Sequence, residues 1–317
     1  MSDTWSNFSL EGCLVGEGSQ AAPALEVKAG GVPERVDLRQ FCSPVENQGR
    51  TNSCVANAVV GALELHQVKA GMPLTDLSRL FLYYNARELF NLQHMDKGTR
   101  VQHAMAALLA HGCCEARLWP FQPTNVNTQP TQNCYANAAH HEAIQFARAP
   151  HGDAALSVLA EGVPIAFTMF APVDYYVVAA QSGTMPRPDQ IRAQPVPAGH
   201  AMLIVGYDLA DRTYLVRNSF GTQFAENGYF KLPFETLDVW GDNREFWAIG
   251  AIEQAAAFKL TGPSMADVAS GLGVSVTASV SKPEAGSVDK LRSDLRSRLS
   301  SDLETSKRDF RNRLRGK

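Results

Sequence analysis

The sequence lacks the features that mark membrane-spanning, secreted and nucleic-acid-binding proteins. No window holds the ~18 consecutive apolar residues that a membrane-spanning helix needs. The N-terminal residues show neither the basic start nor the apolar run of a secretory signal peptide, so we expect a cytoplasmic protein or one exported by a signal-independent route. Charged residues form only 19% of the chain and sum to −3, whereas a nucleic-acid partner usually requires a concentrated basic surface.

Cysteine is also sparse, with six residues in the first half of the chain: Cys13, Cys42, Cys54, Cys113, Cys114 and Cys134. Their spacing fits no Cys/His zinc pattern, so we expect neither a metal nor another cofactor. If one of the six is a catalytic thiol, the odd number that remains cannot pair completely within one chain. We expect the others to be buried or reduced thiols, with one or two disulfides as the open alternative.

What the chain does contain suffices for a sizeable core, since 45% of its 317 residues are hydrophobic. Composition divides it into four stretches: a Gly-, Ala- and Ser-rich extension at 1–31, a folded part at 32–262, a small and polar linker at 263–286, and a charged helical tail at 287–317. Within the folded part, residues 45–150 read as mainly helical and residues 151–262 as mainly strands. This order predicts an α+β fold with two lobes and a substrate cleft between them.

Two periodicities in the hydrophobic pattern support that division. Apolar residues at helical spacing predict three helices: one that begins at Cys54, one around residues 77–84, and one around residues 101–109 that ends at Gly112. Short apolar runs between turn residues predict four strands, at residues 163–170, 201–207, 214–217 and 228–232.

Three residues stand where they could cooperate as a nucleophile, a base and the partner that orients the base. Cys54 begins a helix, whose free N–H groups and dipole favour a thiolate. His200 opens one predicted strand and Asn218 follows the next one. Neighbouring strands would bring them together, so that Asn218 accepts a hydrogen bond from His200 and fixes its tautomer. Each residue alone would also suit a buried cysteine, a structural histidine or a turn asparagine.

Longer segments around these residues carry a more specific signal. Residues 44–64 (PVENQGRTNSCVANAVVGALE), 199–208 (GHAMLIVGYD) and 218–233 (NSFGTQFAENGYFKLP) resemble the cysteine, histidine and asparagine segments of the papain-like cysteine peptidases, in the same order. Residues 32–39 (VPERVDLR) resemble the start of the mature enzyme, so the resemblance covers roughly residues 32–250. It implies the papain-like two-lobed fold, with a helical left lobe and an antiparallel, β-barrel-like right lobe.

The resemblance also implies a hydrolase that forms an acyl-enzyme on Cys54. In that family the residue matching His200 takes and returns the proton, and the residue matching Asn218 orients the histidine. The residue matching Gln48 donates to the oxyanion together with the backbone N–H of the nucleophile. Phe220 would shield the bond between His200 and Asn218 from water.

Other positions of the resemblance concern substrate binding and divergence. Gly98 is similar to a family glycine whose backbone binds an extended polypeptide; the alternative is a plain turn before a helix. The chain has Thr51 where a cysteine is usual, Val55 where an aromatic residue is usual, and Phe220 and Phe224 where tryptophans are usual. None of these changes removes a catalytic group, and they indicate a divergent, bacterial branch.

The sequence leaves three functions open. The leading one is a thiol protease, an endopeptidase that hydrolyses unfolded or extended polypeptide. The second is other acyl transfer at the same site, such as isopeptidase or transglutaminase-like chemistry. The third is a catalytically silent papain fold that serves as a binding module. The side-chain specificity of the substrate is not predicted.

The two ends of the chain carry separate expectations. Residues 1–31 either form a disordered tail or lie across the active site and inhibit it. From Lys282 onward 11 Lys or Arg stand against 6 Asp or Glu. Apolar residues recur there at spacings of four or seven: Leu291, Leu295, Leu299, Leu303, Phe310 and Leu314. We expect an amphipathic helix there that either is simply solvated or binds a partner or an anionic membrane surface.

Overall fold

The computed structural model describes residues 9–10, 12–14, 24–27, 31–139, 146–191, 199–250 and 258–261. The predicted linker at residues 263–286 and the predicted helical tail at residues 287–317 lie outside the described residues. Within them, mainly helices come first and mainly strands follow, which confirms the predicted α+β class. No helix of this described part has the length and apolar character that crossing a membrane requires.

The first half of the folded part forms four helices: α1 (Cys54–Lys69), α2 (Arg79–Glu88), α3 (Val101–His111) and α4 (Gln132–Ala138). α1 is the central helix, and 11 of its 16 residues are buried. A helix that is covered on nearly all sides is apolar nearly all round rather than amphipathic, as α1 is from Val55 to Leu65. Its start at Cys54 agrees with the sequence prediction.

Capping explains where these helices begin and end. The Ser78 hydroxyl accepts a hydrogen bond from the backbone N–H of Phe81 at 3.1 Å and caps the start of α2. α3 ends at Gly112, whose φ of 69° is a conformation that residues with a Cβ disfavour. Ser53 precedes α1 without a capping side-chain bond, so the first N–H groups of α1 remain available to other acceptors.

The described strands form one sheet: β1 (Ala24–Val27), β2 (Arg35–Asp37), β3 (Phe146–Arg148), β4 (Ile165–Met169), β5 (His200–Asp208), β6 (Thr213–Arg217), β7 (Tyr229–Pro233), β8 (Gly241–Ile249) and β9 (Phe258–Thr261). Their order across the sheet is β7-β6-β5-β4-β8-β3-β1-β9, and β2 pairs with β5. Every pair is antiparallel except β1 with β3. The strands do not close into a barrel, so the barrel-like lobe that the resemblance implies is an open sheet here.

β1 belongs to the N-terminal extension. It pairs in parallel with β3 and antiparallel with β9, where Leu25 lies opposite Leu260. The side chain of Leu25 is buried in the core on that face of the sheet. Part of the stretch 1–31 is therefore a structural strand rather than a tail.

Three short helices lie among the strands and were not predicted from the sequence: α5 (Asp153–Ala160), α6 (Val173–Ser182) and α7 (Phe234–Trp240). Each has ten residues or fewer. So few residues give no clear helical period beside strands of similar apolar character. α6 bears on the site below, because it carries Tyr176.

β5 joins the two cores of the fold. Its side chains alternate: Ala201, Leu203 and Val205 pack with the helices, whereas Met202 and Ile204 pack on the opposite face of the sheet. Burying a side chain such as Leu203 or Ile204 contributes ~1.5–3 kcal/mol to the free energy of folding. Because α1 packs directly on β5, the N-terminus of α1 lies beside the first residues of β5.

Candidate active site

The turn before α1 is held by side-chain bonds, and it presents Cys54 at the helix N-terminus. The Thr51 hydroxyl donates to the Gln48 carbonyl at 2.8 Å and lies 2.8 Å from the Ser53 hydroxyl. Asn57, one turn into α1, donates from Nδ2 to the Ser53 carbonyl at 3.0 Å. These bonds fix the approach to α1, so the Cys54 thiol stands where the helix dipole favours negative charge.

The Cys54 thiol is fully buried beside the start of β5. The backbone N–H of Ala201 donates to Cys54 Sγ at 3.4 Å. Burial opposes ionisation, but hydrogen bonds from Cys13 and His200, the charge of the His200 ring and the Ala201 N–H outweigh it. The pKa of Cys54 therefore lies well below its ordinary value. Because the thiolate is the nucleophilic form of cysteine, this is an activated thiol.

The His200 ring is oriented by Asn218. His200 Nε2 lies 2.8 Å from Asn218 Oδ1, and the same oxygen accepts the backbone N–H of Ser219 at 2.8 Å. Nε2 must therefore carry the proton that it donates to this oxygen. Apart from its interaction with the Cys54 thiol, His200 Nδ1 has no hydrogen-bond partner among the described residues.

Strand pairing brings Asn218 to His200, as the sequence predicts. In the antiparallel pair of β5 and β6, Leu203 lies opposite Arg217, and Asn218 follows directly. The backbone N–H of Asn218 donates to the Gly228 carbonyl at 2.9 Å. Residues 18 positions apart in the chain thus meet at the end of two neighbouring strands.

Aromatic rings enclose the His200 imidazole. The Phe220 ring stacks on it with centroids 4.7 Å apart and planes inclined by 23°. Tyr176 meets its edge at 5.7 Å and 82°, and Phe224 packs edge-on against Phe220 at 5.5 Å. Phe220, Tyr176 and His200 are each only 1% exposed.

Gln48 ties the segment before Cys54 to the segment after Asn218. Its backbone N–H donates to the Ser219 carbonyl at 2.8 Å, and its side-chain oxygen accepts the Ser219 hydroxyl at 2.5 Å. Its Nε2 donates to the Thr51 carbonyl at 2.9 Å. This leaves a second amide proton on Nε2, and the Gln48 side chain is fully buried.

The geometry agrees with one protein family. A model of the papain family of cysteine proteases matches residues 32–239, more than half of the chain. The chain belongs to the papain family of cysteine proteases. Its residues Cys54, His200 and Asn218 lie together in the papain-family part of the chain. Among the described residues, no group of His, Cys, Asp and Glu is arranged to hold a metal ion.

Individual papain-family proteins are similar over most of the same region. An uncharacterized peptidase C1-like protein of Acanthamoeba polyphaga mimivirus is 28% identical over 225 residues, 68% of this chain and 71% of the viral protein. Cathepsin M of Mus musculus is 27% identical over 202 residues, which span 61% of this chain but only 58% of cathepsin M. The crystal structure of xylellain, a cysteine protease from Xylella fastidiosa, is 26% identical with a TM-score of 0.69, and the match covers 78% of this chain and 97% of xylellain.

One wall of the papain-family cleft is built around Asp96. Its carboxylate accepts the backbone N–H of Asn52 at 3.0 Å and the Tyr83 hydroxyl at 2.6 Å. The Tyr83 hydroxyl in turn accepts the backbone N–H of Gly98 at 2.9 Å. Asp96 thus fixes the loop that holds Gly98 against the turn before the Cys54 helix.

Residues 9–10 and 12–14, named here the N-terminal segment, lie in this cleft. Cys13 donates its N–H to the Gly199 carbonyl at 3.0 Å, and the Leu14 N–H donates to the Thr99 carbonyl at 3.1 Å. The Thr99 N–H donates to the Gly12 carbonyl at 3.1 Å. The segment is therefore bound as an extended strand, parallel to the chain at Thr99 and antiparallel at Gly199.

The N-terminal segment also touches the candidate catalytic residues. The Ser9 carbonyl lies 3.4 Å from Gln48 Nε2, and the Ser9 hydroxyl donates to the Asn52 side chain. Gly12 lies so close to Cys54 that a Cβ built on it would collide with Sγ. Cys54 is covered in this arrangement and has no exposed surface.

The sequence interpretation placed some residues of the site and missed others. Cys54, His200, Asn218, Gln48 and Phe220 are brought together. Gly98 was predicted to bind an extended chain, and it lies close to the backbone of Gly12. The hydrogen bonds to the N-terminal segment, however, are made by the backbone of Thr99, the next residue. Ser219 and Tyr176 were missed, because their roles depend on contacts between distant segments. For Ser219 the signal was its place directly after Asn218.

Proposed function

We propose that the chain is a cysteine peptidase that hydrolyses peptide bonds in extended polypeptide through an acyl-enzyme on Cys54. The observation that carries this proposal is the series of contacts from Cys54 through His200 to Asn218. A thiol with a lowered pKa lies beside an imidazole whose far nitrogen is 2.8 Å from Asn218 Oδ1. Nucleophilic acyl transfer requires a nucleophile, a base and a group that orients the base.

In the acylation step, the Cys54 thiolate attacks the carbonyl carbon of the peptide bond. His200 is then an imidazolium, and it gives the proton on Nδ1 to the leaving amine as the thioester forms. In the second step, neutral Nδ1 takes a proton from water, and the hydroxide attacks the thioester. The carboxyl product leaves and the thiolate returns, while Asn218 holds the ring in place throughout.

Gln48 is proposed to stabilise the oxyanion of both steps. One of its amide protons is committed to the Thr51 carbonyl. The other faces the Ser9 carbonyl while the N-terminal segment is bound, and it becomes available to the developing charge when a substrate replaces the segment. The Cys54 N–H is the second donor, because the first residue of a helix has no acceptor within the helix. Such a donor typically lowers the barrier by about 3 kcal/mol.

The substrate backbone is proposed to bind where the N-terminal segment lies. Thr99 offers one N–H and one carbonyl, and Gly199 offers a carbonyl, to a strand that runs through the cleft. Gly98 has a φ of 79° and no side chain, which lets a strand approach closely. An extended polypeptide added as a strand would use the same groups, so loops and unfolded chains are the expected substrates.

The N-terminal segment is proposed to inhibit the protease by occupying that site. The Ser9 carbonyl, not that of Gly12, faces Gln48 Nε2. The Gly12 carbonyl is bonded to the Thr99 N–H instead, although Gly12 is the residue that lies against Cys54 Sγ. A peptide bond must lie against Cys54 Sγ and point its carbonyl at Gln48 Nε2 to be cleaved. No single peptide bond of the described segment does both, so the segment covers the thiol without being a good substrate.

The test uses an epoxysuccinyl probe that alkylates reactive thiols, with the labelled residue identified by mass spectrometry. The full chain, a deletion of residues 1–14 and the Cys54→Ala variant are compared. The deletion removes the N-terminal segment but keeps β1, which belongs to the sheet. We expect labelling on Cys54, faster labelling and faster peptide hydrolysis after the deletion, and neither reaction in Cys54→Ala.

Each part of the proposal can fail separately. Labelling that persists in Cys54→Ala, or hydrolysis by that variant, would overturn Cys54 as the nucleophile. Equal rates for the full chain and the deletion would overturn inhibition by the N-terminal segment while leaving the peptidase intact. A loss of the folded state on deletion is detected by circular dichroism, and the full-length Gly12→Ala variant then replaces the deletion.

A further inference from the structure

A second thiol lies against the candidate nucleophile. Cys13 is 5% exposed and its N–H is bonded to the Gly199 carbonyl, while Cys54 Sγ accepts the Ala201 N–H. Residues 199 and 201 flank His200, so both cysteines converge on the same point of β5. The hydrogen bond from the Cys13 thiol is the largest of the contacts that favour the Cys54 thiolate.

Contacts with residues other than Cys54 also hold Cys13 beside the start of β5. Its Sγ lies 3.1 Å from Thr168 Oγ1 on β4. The flanking residues Gly12 and Leu14 are both bonded to the backbone of Thr99. Whenever the N-terminal segment is bound, these contacts return the Cys13 sulfur to the same place beside Cys54.

The two thiols differ in pKa, as the formation of a disulfide through a sulfenic acid requires. The pKa of Cys54 lies well below its ordinary value despite burial, because Cys13 and His200 stabilise the thiolate. Burial first, and then the hydrogen bond to Cys54 and its charge, raise the pKa of Cys13. One sulfur is thus a thiolate that peroxide oxidises readily, and the other is a protonated thiol next to it.

We infer that Cys13 is a resolving cysteine, which forms a reversible disulfide with Cys54 when the protease meets hydrogen peroxide. The inference rests on the proposed function, because Cys54 must be the reactive thiol. Its consequence is that oxidation would fasten the N-terminal segment covalently over the site. The disulfide would protect Cys54 from irreversible oxidation until a thiol reductant restores it.

The reaction proceeds in two balanced steps. The Cys54 thiolate attacks one oxygen of hydrogen peroxide, the O–O bond breaks, and the departing hydroxide takes up a proton to become water. Cys54 is now a sulfenic acid. The Cys13 sulfur attacks the Cys54 sulfur, the S–O bond breaks, and the hydroxide leaves with the Cys13 proton as a second water. Together the two thiols lose two electrons and two protons.

The order of events follows from burial. Because Cys54 has no exposed surface under the N-terminal segment, peroxide reaches it when the segment is displaced. Cys13 is then absent, but the hydrogen bond and charge of His200 and the Ala201 N–H still favour the Cys54 thiolate. Return of the segment then brings Cys13 to the sulfenic acid. Burial raises the pKa of Cys42 and of Cys113, so these thiols stay protonated and react slowly with peroxide.

The experiment treats the full chain with a small excess of hydrogen peroxide and digests it without reduction. We expect a peptide pair that joins Cys13 to Cys54 and a loss of peptide hydrolysis, nearly all of which dithiothreitol restores. In Cys13→Ser the pair cannot form, and Cys54 should proceed to sulfinic acid. Dithiothreitol should then restore little activity, relative to the same variant before oxidation. Cys42→Ser is the matched control and should recover as the unmodified chain does.

The possible outcomes separate the inference from the proposed function. Equal recovery in Cys13→Ser and the unmodified chain, or a disulfide that joins Cys54 to another cysteine, would overturn the role of Cys13. The epoxysuccinyl label on Cys54 would still support the peptidase in that case. If peroxide leaves Cys54 unmodified and the probe does not label it, the proposed nucleophile itself is wrong.

Discussion

The Ser219 hydroxyl donates a hydrogen bond to the side-chain oxygen of Gln48 across 2.5 Å. Gln48 Nε2 is bonded to the Thr51 carbonyl on the other side. The two bonds leave the amide one orientation, because its oxygen must face a donor and its nitrogen an acceptor. Ser219 thus determines where the remaining Nε2 proton points, although it does not itself reach Cys54.

Replacing Ser219 with alanine should lower kcat without changing KM. The buried oxygen of Gln48 would lose its donor, and the amide would be freer to turn away from the oxyanion. A hydrogen bond of this kind contributes about 1 kcal/mol, which corresponds to a fivefold to tenfold loss, roughly. Steady-state hydrolysis of a peptide substrate measures the effect.

The double variant separates this role from general damage to the fold. Gln48→Ala should lose on the order of a hundredfold in kcat, because an oxyanion donor is absent. Adding Ser219→Ala to Gln48→Ala should then cost nothing further, since the residue that Ser219 positions is gone. Losses that simply multiply would show that Ser219 acts by another route.

The pH dependence of alkylation reports the lowered pKa of Cys54. His200 stabilises the thiolate by a hydrogen bond and by its charge. His200→Ala removes both, so the pKa should rise toward its ordinary value of 9.0 and the thiolate fraction at neutral pH should fall. The rate of iodoacetamide reaction as a function of pH should therefore shift its midpoint upward.

A histidine at the far end of the same helix provides the control for that shift. His66 lies near the end of α1 and its Nε2 is bonded to the Ile249 carbonyl at 2.7 Å. His66→Ala should leave the alkylation profile of Cys54 unchanged. A midpoint that moves equally in both variants would mean that the His200 ring does not set the Cys54 pKa.

Phe220 should matter more to activity than its neighbour Phe224. Phe220→Leu keeps an apolar side chain but removes the ring that stacks on His200, so water can reach the bond to Asn218. Aromatic pairs contribute ~0.5–1.5 kcal/mol beyond burial, so kcat/KM should fall by roughly twofold to tenfold. Phe224→Leu removes a ring that packs on Phe220 and should change activity less. Equal losses would refute the shielding role.

Much of the site could be predicted because its signals are local. The helix that starts at Cys54 follows from the spacing of apolar residues, and the strand that starts at His200 follows from a bounded apolar run. The position of Asn218 after the next strand follows from the same pattern. Hydrophobic periodicity and turn residues act within a few positions along the chain, so one sequence reveals them.

What could not be predicted depends on contacts between segments far apart. The bond between Ser219 and Gln48 joins residues 171 positions apart, and no local pattern specifies it. The same holds for Cys13, whose position depends on Thr99 and Gly199. The sequence marked Gly98 as the residue that an extended chain approaches closely. The hydrogen bonds to that chain are made one residue later, because the backbone N–H and carbonyl of Thr99 are the groups that face the cleft.

The buried ion pair of Arg100 and Glu245 should control stability. Their side chains are 6% and 1% exposed, the Arg100 Nε lies 3.0 Å from the carboxylate, and Glu245 also accepts the Val101 N–H at the start of α3. Arg100→Met would leave a buried carboxylate without its cation and should destabilise the fold by ~3–5 kcal/mol at neutral pH. Urea unfolding measures this cost.

The sign of the pH dependence follows from the carboxyl. Burial already raises the pKa of Glu245 above its ordinary value, although Arg100 lowers it. Without Arg100 it rises further, so the folded state of the variant prefers a neutral Glu245. The penalty should therefore shrink as pH falls toward 4.5 and grow as pH rises above it. Arg117→Met, which removes an exposed partner of Glu115, should change the free energy of unfolding far less than Arg100→Met does, at any pH.

Gly12→Ala should open the site without shortening the chain. A Cβ at this position would meet Cys54 Sγ and lie 3.0 Å from the Asn52 carbonyl oxygen, which belongs to the backbone and cannot turn aside. Overpacking of this kind costs ~1–3 kcal/mol, and the bound state of the N-terminal segment bears that cost while the displaced state does not. The rate of epoxysuccinyl labelling at Cys54 should rise about fivefold or more. Gly31→Ala, where a Cβ meets nothing within 4 Å, should label at the original rate. If both variants label alike, the segment does not limit access to Cys54, and the covered thiol must be reached by another path.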